Sequence, residues 1–445
     1  MKRRVVNAGG WTVLVYGFTQ AMRLASSLIM TRLLAPEAFG VMAIAIVVNT
    51  GLALFSDIGL RQSIIRSHRG NDPVFLDTVW SIQIARGLVI FFTAGVICLF
   101  NAILQNAGVL ASGTVYANSG LPYVVAAVAF SAVLAGFEST KVALAQRDLE
   151  LGRLTLMEMG CALLAVLVSV SWAILDASIW ALVGGWLIAA LVKMLLTHLV
   201  LPGRNNSFRW ESTAVHEIFD FGKWIFLSSI LTFFVLSADR LLLGAFFSAE
   251  LLGMYAIAYL IVNSIQQGVL KLSSGVALPV LGEVFRRDSP DALRSMYYRG
   301  RFSFDVAALF SAGFLWQAGE KIVAVLYDPR YLAAGPMLSV LALTLVAIRY
   351  DVAEKCLLAK GRPHWLTVIN LARLILLGVL IPLGFIWFGF AGALWSLVLA
   401  SVLGVFVVLW IKAREELLDI WCEIKVLPIM VLGALIGKGV CVWIT

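Results

Sequence analysis

The sequence predicts an all-α polytopic membrane protein, and three observations support this fold class. Of its 445 residues, 61% are hydrophobic and only 13% are charged, against about 25% charged residues in a typical soluble domain. Apolar runs of about 20 residues, the length of a bilayer-crossing helix, recur along the whole chain. A stretch near the N-terminus also reappears in the second half, which predicts two related bundles of helices.

The apolar runs are about twice as long as the ~10-residue strands of an outer-membrane barrel, so we interpret them as helices. We place thirteen spans, with twelve or fourteen as the alternatives. They lie at residues 11–34, 39–60, 79–104, 121–144, 155–175, 178–200, 221–246, 251–279, 302–326, 334–358, 364–388, 390–411 and 425–444.

Lysine and arginine are unevenly distributed between alternate loops. One set of loops holds most of the chain's 34 basic residues, whereas segment 101–120 of the opposite set has no charge. The positive-inside rule therefore places the basic loops and the N-terminus in the cytoplasm. The net charge of +8 thus reports topology, and no basic soluble domain suggests a nucleic-acid partner.

A repeat relates the two halves of the chain. At one constant spacing the aligned pairs are Gly9 and Gly222, Trp11 and Trp224, Glu37 and Glu250, and Gly40 and Gly253. Six spans separate the copies, so both begin on the same side and the halves are parallel repeats. We expect two six-helix bundles related by pseudo-two-fold symmetry around a central cavity. They occupy residues 1–200 and 221–411, with a cytoplasmic linker at 201–220 and an amphipathic segment plus an extra transmembrane helix at 412–445.

Three stretches carry a resemblance to a known family. They are "TRLLAPEAFGVMAIAIVVNTGLALFSDIGLRQSIIRS" (31–67), "ALAQRDLELGRLTLMEMG" (143–160) and "SADRLLLGAFFSAELLGMYAIAYLI" (237–261). They resemble the polysaccharide transporter family, the Wzx-type lipid-linked oligosaccharide flippases of the multidrug/oligosaccharidyl-lipid/polysaccharide superfamily.

The resemblance implies a bacterial inner-membrane protein that acts by alternating access. Its substrate would be an undecaprenyl-pyrophosphate-linked oligosaccharide, moved from the cytoplasmic to the periplasmic leaflet during lipopolysaccharide or exopolysaccharide assembly. The implied partners are this anionic lipid-linked glycan, membrane lipids and polysaccharide-assembly proteins. No cofactor is implied.

The first span contains an arginine within a polar stripe. Tyr16, Gln20, Arg23, Ser27 and Thr31 follow helical spacing and share one face. An isolated arginine at mid-bilayer costs about 2.5–3.5 kcal/mol on insertion scales. We therefore expect this stripe to line the cavity and to present Arg23, Gln20 and Tyr16 to the substrate.

Other basic residues inside the spans extend this predicted cationic site. Arginine grips phosphate with two parallel hydrogen bonds, which suits a pyrophosphate. Two alternatives stay open: Lys271 snorkelling toward the cytoplasm, and Arg349 pairing with a carboxylate of another helix. Leu236 aligns with Arg23, so the site should be asymmetric. The predicted substrate-binding cations besides Arg23 are Arg86, Lys271, Arg349 and Arg373.

Intramembrane acids suggest a coupling ion and a competing function. Asp239, Asp305 and Asp351 are the candidates for carrying a proton or sodium. A cation-coupled drug antiporter of the same superfamily would need such carboxylates deep in its cavity, whereas the deep charges are mainly basic. The short periplasmic loops carry no metal-ligand cluster, and no Walker A loop is present, so we expect neither an enzyme nor a metal site.

Overall fold

The computed structural model describes the backbone of residues 2–148, 150–287 and 290–444. It describes their side chains except at 2–15, 221, 224, 227, 272–287, 290–293, 359 and 444. All regular elements of this described part are helical, without a strand, which confirms the all-α membrane fold. Ten of these helices are long and apolar enough to cross a membrane, and a bent helix pair makes eleven.

The chain forms two compact units, Met1–Gly253 and Met254–Thr445. The helices of unit 1 are α1 (Lys2–Leu33), α2 (Pro36–Phe55), α3 (Leu60–Arg66), α4 (Pro73–Asn106), α5 (Leu121–Gly136), α6 (Lys141–Arg147), α7 (Leu151–Leu175), α8 (Trp180–Leu199), α9 (Ser212–Phe246) and the start of α10 (Ala249–Arg287). The helices of unit 2 are the remainder of α10, α11 (Pro290–Leu326), α12 (Ala334–Ala342), α13 (Leu345–Ile348), α14 (Asp351–Ala359), α15 (His364–Arg414), α16 (Ile420–Ile424) and α17 (Pro428–Ile444). Short 3₁₀ turns lie at Val115–Ala117 and Pro329–Tyr331.

Unit 1 ends at Gly253, whereas the predicted boundary lies in the linker 201–220 and stays a prediction. Helix α9 belongs to unit 1 because it packs along α2. Gly51 of α2 lies against the ring of Phe233, and Gly244 of α9 lies against Ile44. The absent glycine side chains allow this close approach of two helices.

Residues related by the sequence repeat meet each other within unit 1. A methyl group on Gly40 would overlap the carbonyl oxygen of Ala249, and one on Gly253 would overlap that of Pro36. The four residues are equivalent in pairs at the repeat spacing. The contact between the starts of α2 and α10 is therefore locally two-fold symmetric, and glycine is required on both sides of it.

Two predicted spans are interrupted or bent in the structure, and two others fall within one kinked helix. The span at 121–144 consists of α5 and α6, which are bent by 66°. The span at 334–358 consists of α12, α13 and α14. The spans at 364–388 and 390–411 both fall within α15, where Gly389 breaks the helix with a φ of 60°. Glycine adopts this positive φ without steric cost, which permits the sharp reversal.

The segment 412–425, part of the predicted amphipathic segment, is not one continuous helix. Helix α15 continues to Arg414, and α16 covers only Ile420–Ile424. Between them Glu416 has a φ of 58°, which ends the first helix, and Asp419 caps the second by accepting from the Cys422 amide. The physical reason for the difference is the tertiary environment of Glu423, which is buried.

Candidate substrate-binding site

A polar pocket of about 480 Å³ lies inside unit 1, lined by residues from α2 to α6 and from α8. Its volume falls within the usual range of small-molecule sites. Half of the lining residues have polar side chains. They are Asn49, Asp57, Arg61, Gln62, Gln83, Arg86, Ser131, Glu138, Ser139, Thr140 and Lys193.

Arg86 is the most deeply placed cation of this pocket. It lies thirteen residues after Pro73, the first residue of α4, or about 20 Å along the helix axis. Its Nε donates to Ser56 Oγ at 3.0 Å, and its Nη2 donates to the Ala53 carbonyl at 2.5 Å. Both acceptors belong to the C-terminal end of α2, where carbonyl groups lack helical partners and a cation is favoured.

The charge of Arg86 is not neutralised by an ion pair in the described part of the chain, since its hydrogen bonds go to uncharged oxygens. Asp57 accepts instead from the amide of Gly59, which has a φ of 64° and directly precedes the short helix α3. Lys193 and Glu138 pair with each other at 2.8 Å. Arg61 is exposed and has no described ion pair. The pocket thus offers two cations, Arg86 and Arg61, to an anion.

One wall of the pocket is the break between α5 and α6. Gln83 donates to the carbonyls of Ala135, Gly136 and Glu138, each at 3.0 Å. Thr197 accepts from the amide of Ser139 at 3.0 Å. These side chains satisfy backbone groups that the helix break leaves open. Irregular backbone at membrane depth is tolerated where protein covers it or where it lines a cavity, and broken helices often mark substrate sites.

The predicted polar stripe of α1 does not contribute to this pocket. Arg23 is exposed, and Gln20 donates to the Tyr16 hydroxyl at 2.9 Å. At the other end of the stripe Ser27 and Thr31 are buried. The side chains of Thr12 and Val13 lie outside the described residues. The assignment of Arg23, Gln20 and Tyr16 to a substrate site stays a prediction.

Two other predicted cations are paired with carboxylates in unit 2. Arg373 lies 2.8 Å from Glu354. Arg349 lies 3.0 Å from both Asp305 and Glu423 and is only 2% exposed, so the alternative of a partner carboxylate on another helix describes its environment. Lys271 is exposed on α10.

The predicted coupling acids occupy three different environments. Asp239 lies 3.7 Å from Arg240, and Asp351 lies 3.4 Å from Lys355. Asp305 is buried and accepts from Arg301 at 3.0 Å. A role for any of them in ion coupling stays a prediction.

Asp305 belongs to a buried ionic network that the sequence did not suggest. Glu423 is at its centre and accepts from Arg301 at 2.7–2.8 Å, from Arg349 at 3.0 Å, and from Lys412. The Nε of Arg349 is 3.0 Å from Asp305 Oδ1, but the N–H is not aligned with the oxygen, so this contact is an ion pair without a hydrogen bond. Three tyrosine rings surround the cations: Tyr297, Tyr298 and Tyr350.

In the sequence, Arg301 and Lys412 belong to the basic loops that the positive-inside rule places in the cytoplasm, and Glu423 lies in the charged segment that follows Lys412. Their burial depends on four elements meeting, namely α11, the end of α13, α15 and α16. No local pattern indicates such a meeting. The network therefore lay beyond sequence reasoning, and so did the break at 137–140 that shapes the unit 1 pocket.

Comparison with known proteins places these observations in context. A family model described as polysaccharide biosynthesis protein matches residues 29–336. The lipopolysaccharide biosynthesis protein WzxC of Escherichia coli (strain K12) is 20% identical over 308 residues, which cover 67% of this chain and 58% of that protein. The succinoglycan biosynthesis transport protein ExoT of Rhizobium meliloti (strain 1021) is 23% identical over 339 residues, covering 75% and 65%. The chain thus spans about six tenths of the length of these relatives.

Solved structures share the fold. An inward-facing multidrug resistance MATE family transporter of the MOP superfamily superposes with a TM-score of 0.69 at 14% identity, covering 89% of this chain and 94% of that chain. The lipid II flippase MurJ in an inward closed conformation gives a TM-score of 0.65 at 12% identity, covering 96% and 98%.

Proposed function

The chain belongs to the polysaccharide biosynthesis protein family, and from this premise we propose that it is a flippase. Its substrate is an undecaprenyl-pyrophosphate-linked oligosaccharide, which it moves from the cytoplasmic to the periplasmic leaflet by alternating access. The observation that carries the proposal is Arg86, a cation without a described ion pair at membrane depth in a polar pocket.

The chemistry of the pocket suits the pyrophosphate part of such a lipid. A guanidinium forms charge-assisted hydrogen bonds with phosphate oxygens, and these bonds are about twice as strong as neutral ones. Arg86 is held by Ser56 and Ala53, so its orientation is fixed before a ligand arrives. Pre-organisation of this kind reduces the entropic cost of binding.

The uncharged polar side chains of the pocket suit sugar hydroxyls. Asn49, Gln62 and Ser131 lie on the walls and can exchange hydrogen bonds with a hydroxyl group. A volume of about 480 Å³ accommodates the pyrophosphate and the first sugar rather than a whole oligosaccharide. The proposal therefore assigns to this pocket the part of the substrate that all glycans on the same carrier share.

The names of the relatives support the substrate class. Two of them are named for lipopolysaccharide and succinoglycan biosynthesis, and one structural neighbour is a lipid II flippase. The competing function, a cation-coupled drug antiporter, requires accessible carboxylates. Asp305 is engaged by Arg301 and Arg349, which weakens that alternative.

The proposal is tested by replacing Arg86 in reconstituted vesicles. We expect Arg86→Gln to slow the transfer of an undecaprenyl-pyrophosphate-linked sugar about tenfold to hundredfold, since a hydrogen bond to a charged group contributes about 1.5–3 kcal/mol. Arg86→Lys keeps the charge but not the forked geometry and should be intermediate. The measurement is the fraction of labelled lipid that becomes accessible to an added glycosidase with time.

Arg153→Gln is the matched control, because Arg153 is exposed at the start of α7 and lies outside the pocket. Equal rates for Arg86→Gln and wild type would remove the pocket from the mechanism. Efflux of a cationic dye that depends on Asp239 would instead favour the antiporter.

A further inference from the structure

We infer that unit 2 carries a binding site for the headgroup of an anionic phospholipid, independent of the transported substrate. The site is a pocket of about 540 Å³ at the start of α11, closed on one side by α16 and the residues that flank it. The basic-loop pattern assigns this end of the unit to the cytoplasm. The side chains that carry the argument are Arg294, Arg299, Phe302, Asp419 and Lys425.

The first argument is the charge that remains after internal pairing. Asp419 lies 3.6 Å from Arg294, so these two charges compensate each other. Asp305, the other acid of the lining, is shared by Arg301 and Arg349, each at 3.0 Å. Arg299 and Lys425 are exposed and have no ion pair in the described part of the chain. Two cations are therefore available to an anion.

The wall behind the pocket adds positive potential. The buried network contains three cations, Arg301, Arg349 and Lys412, but only two carboxylates, Asp305 and Glu423. Its net charge is therefore +1. Asp305 of this network and Tyr298 both line the pocket, and Tyr298 donates to Glu423 at 3.1 Å. Charge inside a bundle is screened less by salt than charge at the surface, so the excess acts on a ligand in the pocket.

Apolar side chains at and beside the pocket favour a lipid over a soluble anion. Phe302 of α11 lines the pocket and is 51% exposed. Ile420 and Trp421 lie in the chain between the lining residues Asp419 and Cys422 and are 64% and 80% exposed. Tryptophan favours the membrane interface. A basic pocket bordered by such side chains matches a phosphate diester with acyl chains beside it. A free phosphate would gain nothing from these apolar side chains.

The proposal is tested with the purified full-length protein in detergent, using phosphatidylglycerol and phosphatidylethanolamine as probes. Bound lipid is counted by native mass spectrometry over a titration. Each basic residue near an anionic lipid contributes about a fivefold factor, so we expect Arg299→Gln/Lys425→Gln to weaken phosphatidylglycerol binding about thirtyfold. The matched control is Arg153→Gln/Arg209→Gln, two exposed basic residues of unit 1 that line neither pocket.

A second variant changes the affinity in the opposite direction. Asp419→Asn removes the partner of Arg294, while asparagine still caps α16. We expect about fivefold tighter phosphatidylglycerol binding. Unchanged binding by both variants would overturn the proposal, as would equal affinity for phosphatidylethanolamine. Displacement of the lipid by millimolar inorganic phosphate would identify a soluble ligand and would also overturn it.

Discussion

The cations of unit 1 and unit 2 have opposite environments at two places, Arg86 and the Glu423 network. Arg86 is held by two uncharged oxygens at the edge of a pocket. Arg301 and Lys412 are fully buried and bonded to a carboxylate. The cations of the network are bonded to carboxylates and hold helices together, whereas a cation beside open volume is available for direct contact with a ligand. Intramembrane arginines therefore cannot be assigned a common role from their depth alone.

A substitution in the Glu423 network of unit 2 should have the largest effect on the free energy of unfolding. Glu423→Gln leaves Arg301, Arg349 and Lys412 facing a single carboxylate. Breaking a buried ion pair by removing one partner costs about 3–5 kcal/mol, and we expect a loss of this size in the free energy of unfolding, measured by denaturation in detergent. Glu416→Gln, an exposed acid of the same connection, should change it by less than about 0.5 kcal/mol.

A compensating variant separates charge from packing in this network. Lys412→Met/Glu423→Gln returns the network to a net charge of +1 and should recover at least half of the loss. If Glu423→Gln alone has the same free energy of unfolding as the wild type, the network does not hold α16 in place.

At the contact between α2 and α10, the stability cost of a substitution should come from steric overlap with the backbone rather than from lost ion pairs. Gly40→Ala places a methyl group against the carbonyl of Ala249, and overpacking of this kind costs about 1–3 kcal/mol. Gly95→Ala on α4 is the control, since no atom lies within 4 Å of the added carbon. It should be neutral or slightly stabilising. The free energy of unfolding in detergent measures both, and equal values would contradict the close approach.

Arg86→Gln should show most directly whether Arg86 serves transport or, like the network residues of unit 2, stability. It removes two hydrogen bonds of a partly buried guanidinium, whose contribution to stability is offset by the desolvation of its charge. We expect the free energy of unfolding to change by about 1 kcal/mol while transport falls at least tenfold. A loss of 3 kcal/mol or more would show that Arg86 is a structural residue like those of the network.

The smallest effect is expected at the surface of unit 1. Arg69 donates to Asp72 at 2.6 Å and to Glu211 at 2.7 Å. The hydrogen bond from Arg69, followed by that from the Val74 amide, holds the pKa of Asp72 below its ordinary value near 3.8. Because the folded-state pKa is lowered, the stabilisation is present above the unfolded pKa and is lost as the pH falls through the folded one.

Asp72→Asn keeps the cap of α4 but removes the charge. We expect it to destabilise by less than about 1 kcal/mol at neutral pH, because exposed ion pairs contribute little. This difference from wild type should shrink as the pH falls below 3.8 and through the folded-state pKa of Asp72, as followed by thermal unfolding across pH. A difference that grows on acidification would contradict the assigned cause.

The sequence predicted the helices well because each span is a local property. A run of about 20 apolar residues must be helical in a bilayer, since its backbone groups can only be satisfied within the segment. The turn at Gly389 between two predicted spans was also anticipated. The breaks at 137–140 and 343–350 were not, because side chains from elsewhere, such as Gln83 and Thr197, satisfy the first of them.

Sequence alone determined the membrane fold, the repeat and the family resemblance, because hydropathy, periodicity and motif spacing act along the chain. Tertiary structure alone decided which charges are neutralised. Arg86 and Arg349 look alike in the sequence, yet only Arg349 meets carboxylates from two other helices. Coulomb energy depends on distances of a few ångströms between segments far apart in the chain, and no local pattern encodes them.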